Sequence, residues 1–315
     1  MGEILAVSLT SHAPTIMMPR EQRLELNEGR EISLVPGLHR MRDEKLAALD
    51  VDTIVILDTH WFTTVEHVVT AQDHFEGVFT SAELPRGMSQ IPFEYDGDPE
   101  LADAIAAQGE VVGTPIHANH DPHLPIFYAT INLVKYLRTD QKVISVSIAQ
   151  TGEDDDFQRV GRAIGRAVAA TDRKVVLLAS GGMSHRFWSL KKLEEHEASD
   201  PSHIITPEAR AADEQRIAWM EAGDHAAIVD HMDDYMAHAP EGGFGHVLMM
   251  QAAVGGRACI ATGEKLSDYE NATGTGQVHV WFDRPATGWT GHGVEVAGIT
   301  TDEPATAGAG TSAGA

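Results

Sequence analysis

The chain reads as one α/β domain, a layered central sheet, mixed or mostly parallel, with helices on both faces. Three observations predict it. Four short runs of continuous apolar or β-branched residues, at 4–9, 53–57, 143–148 and 174–179, have the pattern of strands buried on both sides. Six segments with helical spacing, at 38–49, 99–107, 126–137, 156–170, 207–222 and 245–253, lie between and after them, several starting near Asp or Pro. Strand and helix alternate, which is how layered α/β folds cover both faces of a sheet.

With 315 residues, 43% of them hydrophobic, the chain can build one large core more readily than two small ones. The stretch "HFEGVFTSAELPRGMSQIPFEYDGDPELA", rich in Pro, Gly and aromatic residues, reads as an ordered excursion over the surface. A single catalytic domain is expected over 1–285. Residues 286–315, ending "TDEPATAGAGTSAGA", lack the apolar content to bury themselves and are expected to form a disordered Ala/Gly/Thr-rich tail.

Composition excludes several classes of partner. A net charge of -24, from 23 Lys and Arg against 47 Asp and Glu, repels nucleic acid and anionic membrane alike. No run of about 18 uncharged apolar residues occurs, and the opening "MGEILAVSLTSH" lacks a basic stretch followed by an apolar one, so a cytoplasmic location is expected. The one cysteine, Cys259, can form no disulfide within the chain and founds no cysteine metal site. Any metal would have to be held by histidines and carboxylates, and the 17 histidines are the outlier in composition.

Several histidines fall at the ends of strands. "EILAVSLTSHAP" runs into His12, "VDTIVILDTHW" into His60, and "KVVLLASGGMSHRF" through two glycines into His185. Ligands of open α/β sheets collect beyond the carboxyl ends of parallel strands, so these imidazoles would share one rim. A loop, "HANHDPHLP", adds His117, His120 and His123. Any one loop histidine is more often structural than functional; their recurrence at equivalent places is what argues for a histidine-lined site. Two histidines and one carboxylate form the facial triad of non-haem Fe(II) oxygenases, and "AHAPEGGFGHVLMM" offers Glu241 before two glycines and an apolar helix. An acid at a helix start can equally well just favour the helix dipole. Asp58 is placed to orient a ligand beside it.

The chain resembles the type III extradiol ring-cleavage dioxygenases, the family that includes protocatechuate 4,5-dioxygenase β subunits. The similarity runs from about residue 3 to 285 and is carried by "VDTIVILDTHW", "DHFEGVFTSAELP", "YDGDPELA", "LASGGMSHRF" and "TGTGQVHVWF". It implies that His12, His60 and Glu241 ligate Fe(II) and that His185 is an acid/base residue. A second acid/base role falls on His120, with His123 as competitor; Asp121 stands where the family has glycine. The resemblance further implies a small-molecule catechol opened with O2 to a muconic semialdehyde, by a homo-oligomer. 3,4-Dihydroxyphenylacetate is the first substrate expected, and 2,3-dihydroxyphenylpropionate, protocatechuate or an aminophenol the alternatives. Arg186 and Arg86 are candidates to bind the substrate's carboxylate, although such arginines are more often ion-pair partners. Trp61 could pack on the aromatic ring, but core packing is its commoner role. Two rivals stand beside this reading. Ser184 in "SGGMSH" suggests a serine hydrolase but lacks the G-x-S-x-G elbow. The same rim could also hold zinc, as a hydrolase or as a binding module without turnover.

Overall fold

The computed structural model describes residues 1–291. In chain order the strands are β1 (Glu3–Thr10), β2 (Thr53–Thr63), β3 (His67–Thr70), β4 (His74–Phe79), β5 (Ile91–Asp96), β6 (Ile116–Asn119), β7 (Lys142–Ala149), β8 (Lys174–Ser180), β9 (Gly263–Lys265), β10 (Glu270–Ala272), β11 (Thr275–Gln277) and β12 (His279–Asp283). The helices are α1 (Arg20–Leu26), α2 (Leu34–Arg40), α3 (Pro99–Val112), α4 (Tyr128–Leu137), α5 (Asp154–Ala170), α6 (Pro207–Ala222), α7 (His225–Asp230), α8 (Met232–Met236) and α9 (Gly245–Ala253).

The four apolar runs form β1, β2, β7 and β8, the parallel centre of an eight-stranded sheet ordered β6-β3-β7-β2-β8-β1-β12-β9. β12 and β9 add antiparallel strands at one side, and β3 joins β7 antiparallel on the other, so the sheet is mixed. Alternate residues of each central strand serve different cores. Val55, Leu57, Leu177 and Ala179 pack with α3, α5 and α9 on one face. Ile54, Ile56, Val176 and Leu178 pack with α2 and α4 on the other. Both faces are therefore dry, which is why these strands carry no polar alternation.

Element ends differ from the sequence expectation for local reasons. The helix expected over 99–107 continues to Val112 and stops where Gly113 turns left-handed at φ 74°. The run expected at 38–49 begins earlier, as α2, and then widens over Met41–Lys45 before tightening over Leu46–Ala48. The strand expected at 53–57 extends to Thr63. Chain packing also passes the boundary expected at 285: Trp289 is buried, and its indole N–H donates to the Ile4 carbonyl at 3.1 Å. The rest of the expected tail, 292–315, lies outside the described residues. Among those described, no helix is long and apolar enough to cross a membrane.

One buried charge ties the sheet's amino-terminal edge to α3. The fully buried Asp98 accepts from Thr53 Oγ1 at 2.7 Å and Arg173 Nε at 2.8 Å, and caps α3 through Leu101 N at 3.3 Å. Burial alone would raise its pKa, but the hydrogen bonds from Arg173 and Thr53 outweigh it and the net shift is downward. Such a carboxylate stabilises the fold above its unfolded pKa of about 4, and this is lost as pH falls through the lower folded value. Asp98→Ala should cost about 2–4 kcal/mol in denaturant unfolding at pH 7, having removed a cap and the buried partner of Arg173, which is left with the exposed Glu100 and Asp172. The gap between variant and parent should close as the pH is lowered below about 4.

Candidate metal centre

Strand register brings the site together. β8 lies between β1 and β2, with Ser180 opposite Thr10 on one side and Asp58 on the other. His12, His60 and His185 follow those three residues within five positions, so the ends of three parallel strands deliver them to one rim. His60 is not past the end of its strand. Pairing with β7 jumps from Asp58–Ser147 to Phe62–Ile148, leaving Thr59, His60 and Trp61 as a bulge. Asp58 shapes it: Oδ1 accepts from the His60 and Trp61 amides at 2.8 and 3.1 Å, and Oδ2 from the Thr130 amide and hydroxyl at 3.1 and 2.7 Å.

Glu241 supplies the carboxylate from a tight turn in which Gly242, Gly243 and even Phe244 are left-handed, with φ of 55°, 62° and 60°. Glycine accepts that conformation freely, while Phe244 is held in it by full burial. Oε2 accepts from the Gly182 amide at 2.6 Å, and Thr59 donates to Oε1. His12 Nε2 and His60 Nε2 lie 3.3 and 3.5 Å from the same Oε1. One ligand atom from each of His12, His60 and Glu241 falls within 4.8 Å of the other two. Ligands about 2.1 Å from a common ion at right angles stand about 3 Å apart, so the set fits a metal. The donors are also correctly disposed. His12 Nδ1 is engaged by Ser180 Oγ at 2.9 Å, which leaves Nε2 to face the carboxylate. Burial would raise the pKa of Glu241, but the surrounding His185, His12 and His60 hold it well below the usual range.

His185 is the third imidazole on this carboxylate, with Nε2 at 3.6 Å from Oε2. Burial, together with the neighbouring His60 and His12 and despite the pull of Glu241, lowers its pKa, which favours the neutral imidazole. Its backbone is doubly fixed. His185 N donates to the Ala239 carbonyl at 3.0 Å and Glu241 N to Met183 at 3.0 Å, so the segments carrying His185 and Glu241 brace each other. Behind them the buried Asp213 of α6 accepts from Ser184 N (3.0 Å), Ser184 Oγ (2.7 Å), Tyr235 (2.7 Å) and Tyr269 (2.6 Å). That arrangement removes the serine hydrolase reading: Ser184 is fully buried and gives its proton to Asp213, not to His185.

The loop histidines go elsewhere. His120 turns its ring onto Asp103 at 2.8 Å with its side chain 55% exposed, and His123 is likewise exposed. Among the described residues no hydrogen bond, ion pair or ring contact links either to the cluster, so the second acid/base role expected of them lacks its geometry. The physical reason is that β6 ends at Asn119 on the edge of the sheet, remote in strand order from β1 and β8. Arg186 is exposed and donates to the Ala237 carbonyl at 2.9 Å. Arg86 opens on a surface groove beside Gln22, Phe93, Lys135 and Arg138, which includes none of the cluster residues. Trp61 is buried and stacks on Phe127 at 5.8 Å, a packing role.

Three neighbours were not singled out from the sequence. The Tyr128 hydroxyl is hydrogen-bonded with His60 Nε2, and its ring lies 4.0 Å from that of His60 and 5.5 Å from that of His12. Burial and the nearby Glu241, Glu83 and Asp58 raise its pKa, so it stays a phenol. Glu83 comes to 3.4 Å of His60 Nδ1. His246, fully buried on α9, packs beneath Gly181 and has its pKa pushed down to about 4 by burial. Gly181 is required there, since a Cβ would sit 2.6 Å from the His246 ring. "SAELP" and "FYATINL" held Glu83 and Tyr128 in plain view, but nothing local says that either returns to a strand end.

Comparison with known proteins agrees with this geometry. The chain is 28% identical to 3,4-dihydroxyphenylacetate 2,3-dioxygenase of Escherichia coli over 81% of its length and 91% of the relative's. It is 26% identical to the 2-aminophenol 1,6-dioxygenase β subunit of a Pseudomonas species, over 58% of this chain and 63% of that one. A crystal structure of an uncharacterized protein from Escherichia coli K12 shares the fold, with a TM-score of 0.54 and 16% identity over 77% of this chain and 91% of that one. The model of the LigB family, described as the catalytic LigB subunit of aromatic ring-opening dioxygenase, matches residues 6–283, and the chain belongs to that family.

Proposed function

We propose that the protein is an Fe(II)-dependent extradiol dioxygenase that opens the ring of a catechol with O2. The observation that carries this is the meeting of two histidines and a carboxylate on one face with a third histidine against the same carboxylate. His12, His60 and Glu241 would hold the ion, leaving one side of it to substrate and O2. When bound, Fe(II) supplies a Lewis acid that lowers the pKa of a catechol hydroxyl, and an electron source for O2.

The residues of the chain do the rest. His185, its pKa lowered by burial and its segment fixed by the Asp213 network, takes a hydroxyl proton at Nε2 and can return it later. Tyr128, held protonated, offers a hydrogen-bond donor beside the ligands, in the place sought in His120 and His123. Phe187, whose ring meets His185 edge-on at 4.8 Å and is half exposed, is positioned as a wall for an aromatic ring.

For the substrate we propose a catechol with a carboxylate side chain, 3,4-dihydroxyphenylacetate first, as in the name of the Escherichia coli relative. Relatives named for 2-aminophenol make an aminophenol the second reading. Purified protein loaded anaerobically with Fe(II) should consume O2 and form a coloured ring-opened product, with kcat/KM highest for one member of a panel of catechols and aminophenols. Tight zinc binding without O2 uptake on any of them would defeat the proposal.

Two variants separate the roles. Glu241→Ala should lose stoichiometric metal, measured by elemental analysis, since it removes the only carboxylate of the ligand set. His185→Ala should keep metal and bind catechol with near-parental affinity, while kcat falls roughly 10²- to 10⁴-fold. Parental turnover in that variant would rule out His185 as the proton acceptor.

A further inference from the structure

Glu83 is a carboxylate that ring opening as described does not use, yet its Oε2 stands 3.4 Å from His60 Nδ1. It arrives from the connection between β4 and β5, outside the main sheet. That connection is well anchored. Ser81 N donates to the Met88 carbonyl at 2.9 Å, Met88 N to the Leu84 carbonyl at 2.9 Å, and Leu84 N to Ser81 Oγ at 3.0 Å. Ser81 and Met88 are both buried, so the turn is pinned at each end while Glu83 reaches out from it toward the imidazole.

A neutral imidazole has one N–H and one lone pair, and which nitrogen holds the proton depends on the partner of each. His60 turns Nε2 toward Glu241, at 3.5 Å. To ligate through Nε2 it must keep its proton on Nδ1, and Glu83 is the acceptor facing that proton. The Tyr128 hydroxyl lies against Nε2, where it can donate to the lone pair that this assignment leaves there. We propose that Glu83 is a positioning residue of the metal centre, whose carboxylate holds His60 with its proton on Nδ1 and its lone pair on Nε2 aimed at the ion. A carboxylate on the far nitrogen of a ligating histidine fixes the ring and raises its basicity, which is worth roughly 10- to 100-fold in metal affinity. The excursion between β4 and β5 is thereby part of the metal centre, although it supplies no ligand. This inference rests on the reading of His12, His60 and Glu241 as a metal site.

Metal-free full-length chain is titrated with Zn(II), and anaerobically with Fe(II), against a competing chelator. Glu83→Ala should bind each ion roughly 10- to 100-fold more weakly than the parent, and Glu83→Gln should lose less, because its amide oxygen still accepts from Nδ1–H. Glu76→Gln removes the same charge from an exposed site on β4 and should bind like the parent. With the Glu83 side chain 53% exposed, the metal-free Glu83→Ala chain should melt with the parent, and Glu83→Gln serves as the second variant if it does not. Parental affinity in Glu83→Ala, or an equal loss in Glu76→Gln, would overturn the inference while leaving the metal site standing. A parent that binds no ion would overturn both.

Discussion

A carboxylate buried to 4% exposure is the constraint around which this protein is arranged. Leaving Glu241 uncompensated in a dry interior would cost several kcal/mol, so its oxygens must be met by donors or positive charge. The fold meets them from three directions. The Gly182 amide comes from the end of β8, the Thr59 hydroxyl and His60 from the bulge of β2, and His12 from the end of β1. Only strands that end in register can converge on one carboxylate in this way. The alignment of Ser180 with both Thr10 and Asp58 is therefore as much a feature of the site as of the sheet.

The surroundings keep this geometry from relaxing. Asp58 uses both oxygens to fold the β2 bulge onto itself and to tie it to α4 at Thr130, two residues from Tyr128. Asp213 plays a comparable part for the segment bearing His185, with four donors around a buried carboxylate. In both cases an acid outside the ligand set fixes, through the backbone, a residue that belongs to the cluster or borders it. Rotamers locked by such bonds give a site its precision before any substrate arrives.

Much of this was legible in the sequence, and the reasons are physical. Continuous apolar runs reveal strands buried on both sides, and a histidine ending such a run has few reasons to be there. His12, His60 and His185 could be read as rim residues from local context for that reason, whereas Glu241 was assigned as a ligand only by the family resemblance. His120 and His123 sit in an equally suggestive local context, but β6 leads them to the sheet edge, where Asp103 is the partner. Arg86 stands out in "ELPRGM" as a cation on an acidic chain, while Glu83, three residues before it, is one acid among many. The turn between Ser81 and Met88 decides which of the two faces the imidazoles.

The sequence by itself determined the α/β class, the central strands and the chemical types at their ends, because periodicity and composition record which faces are dry and which residues can hold a metal. Only the tertiary structure decided the bulge that aims His60, the left-handed turn that presents Glu241, and the return of Glu83, Tyr128 and Asp213 to the rim. Those depend on register and on contacts between segments distant in the chain, as Asp213 with Ser184 and Glu83 with His60 show. No local pattern encodes them, since each is fixed by what the opposite segment offers once the sheet has closed.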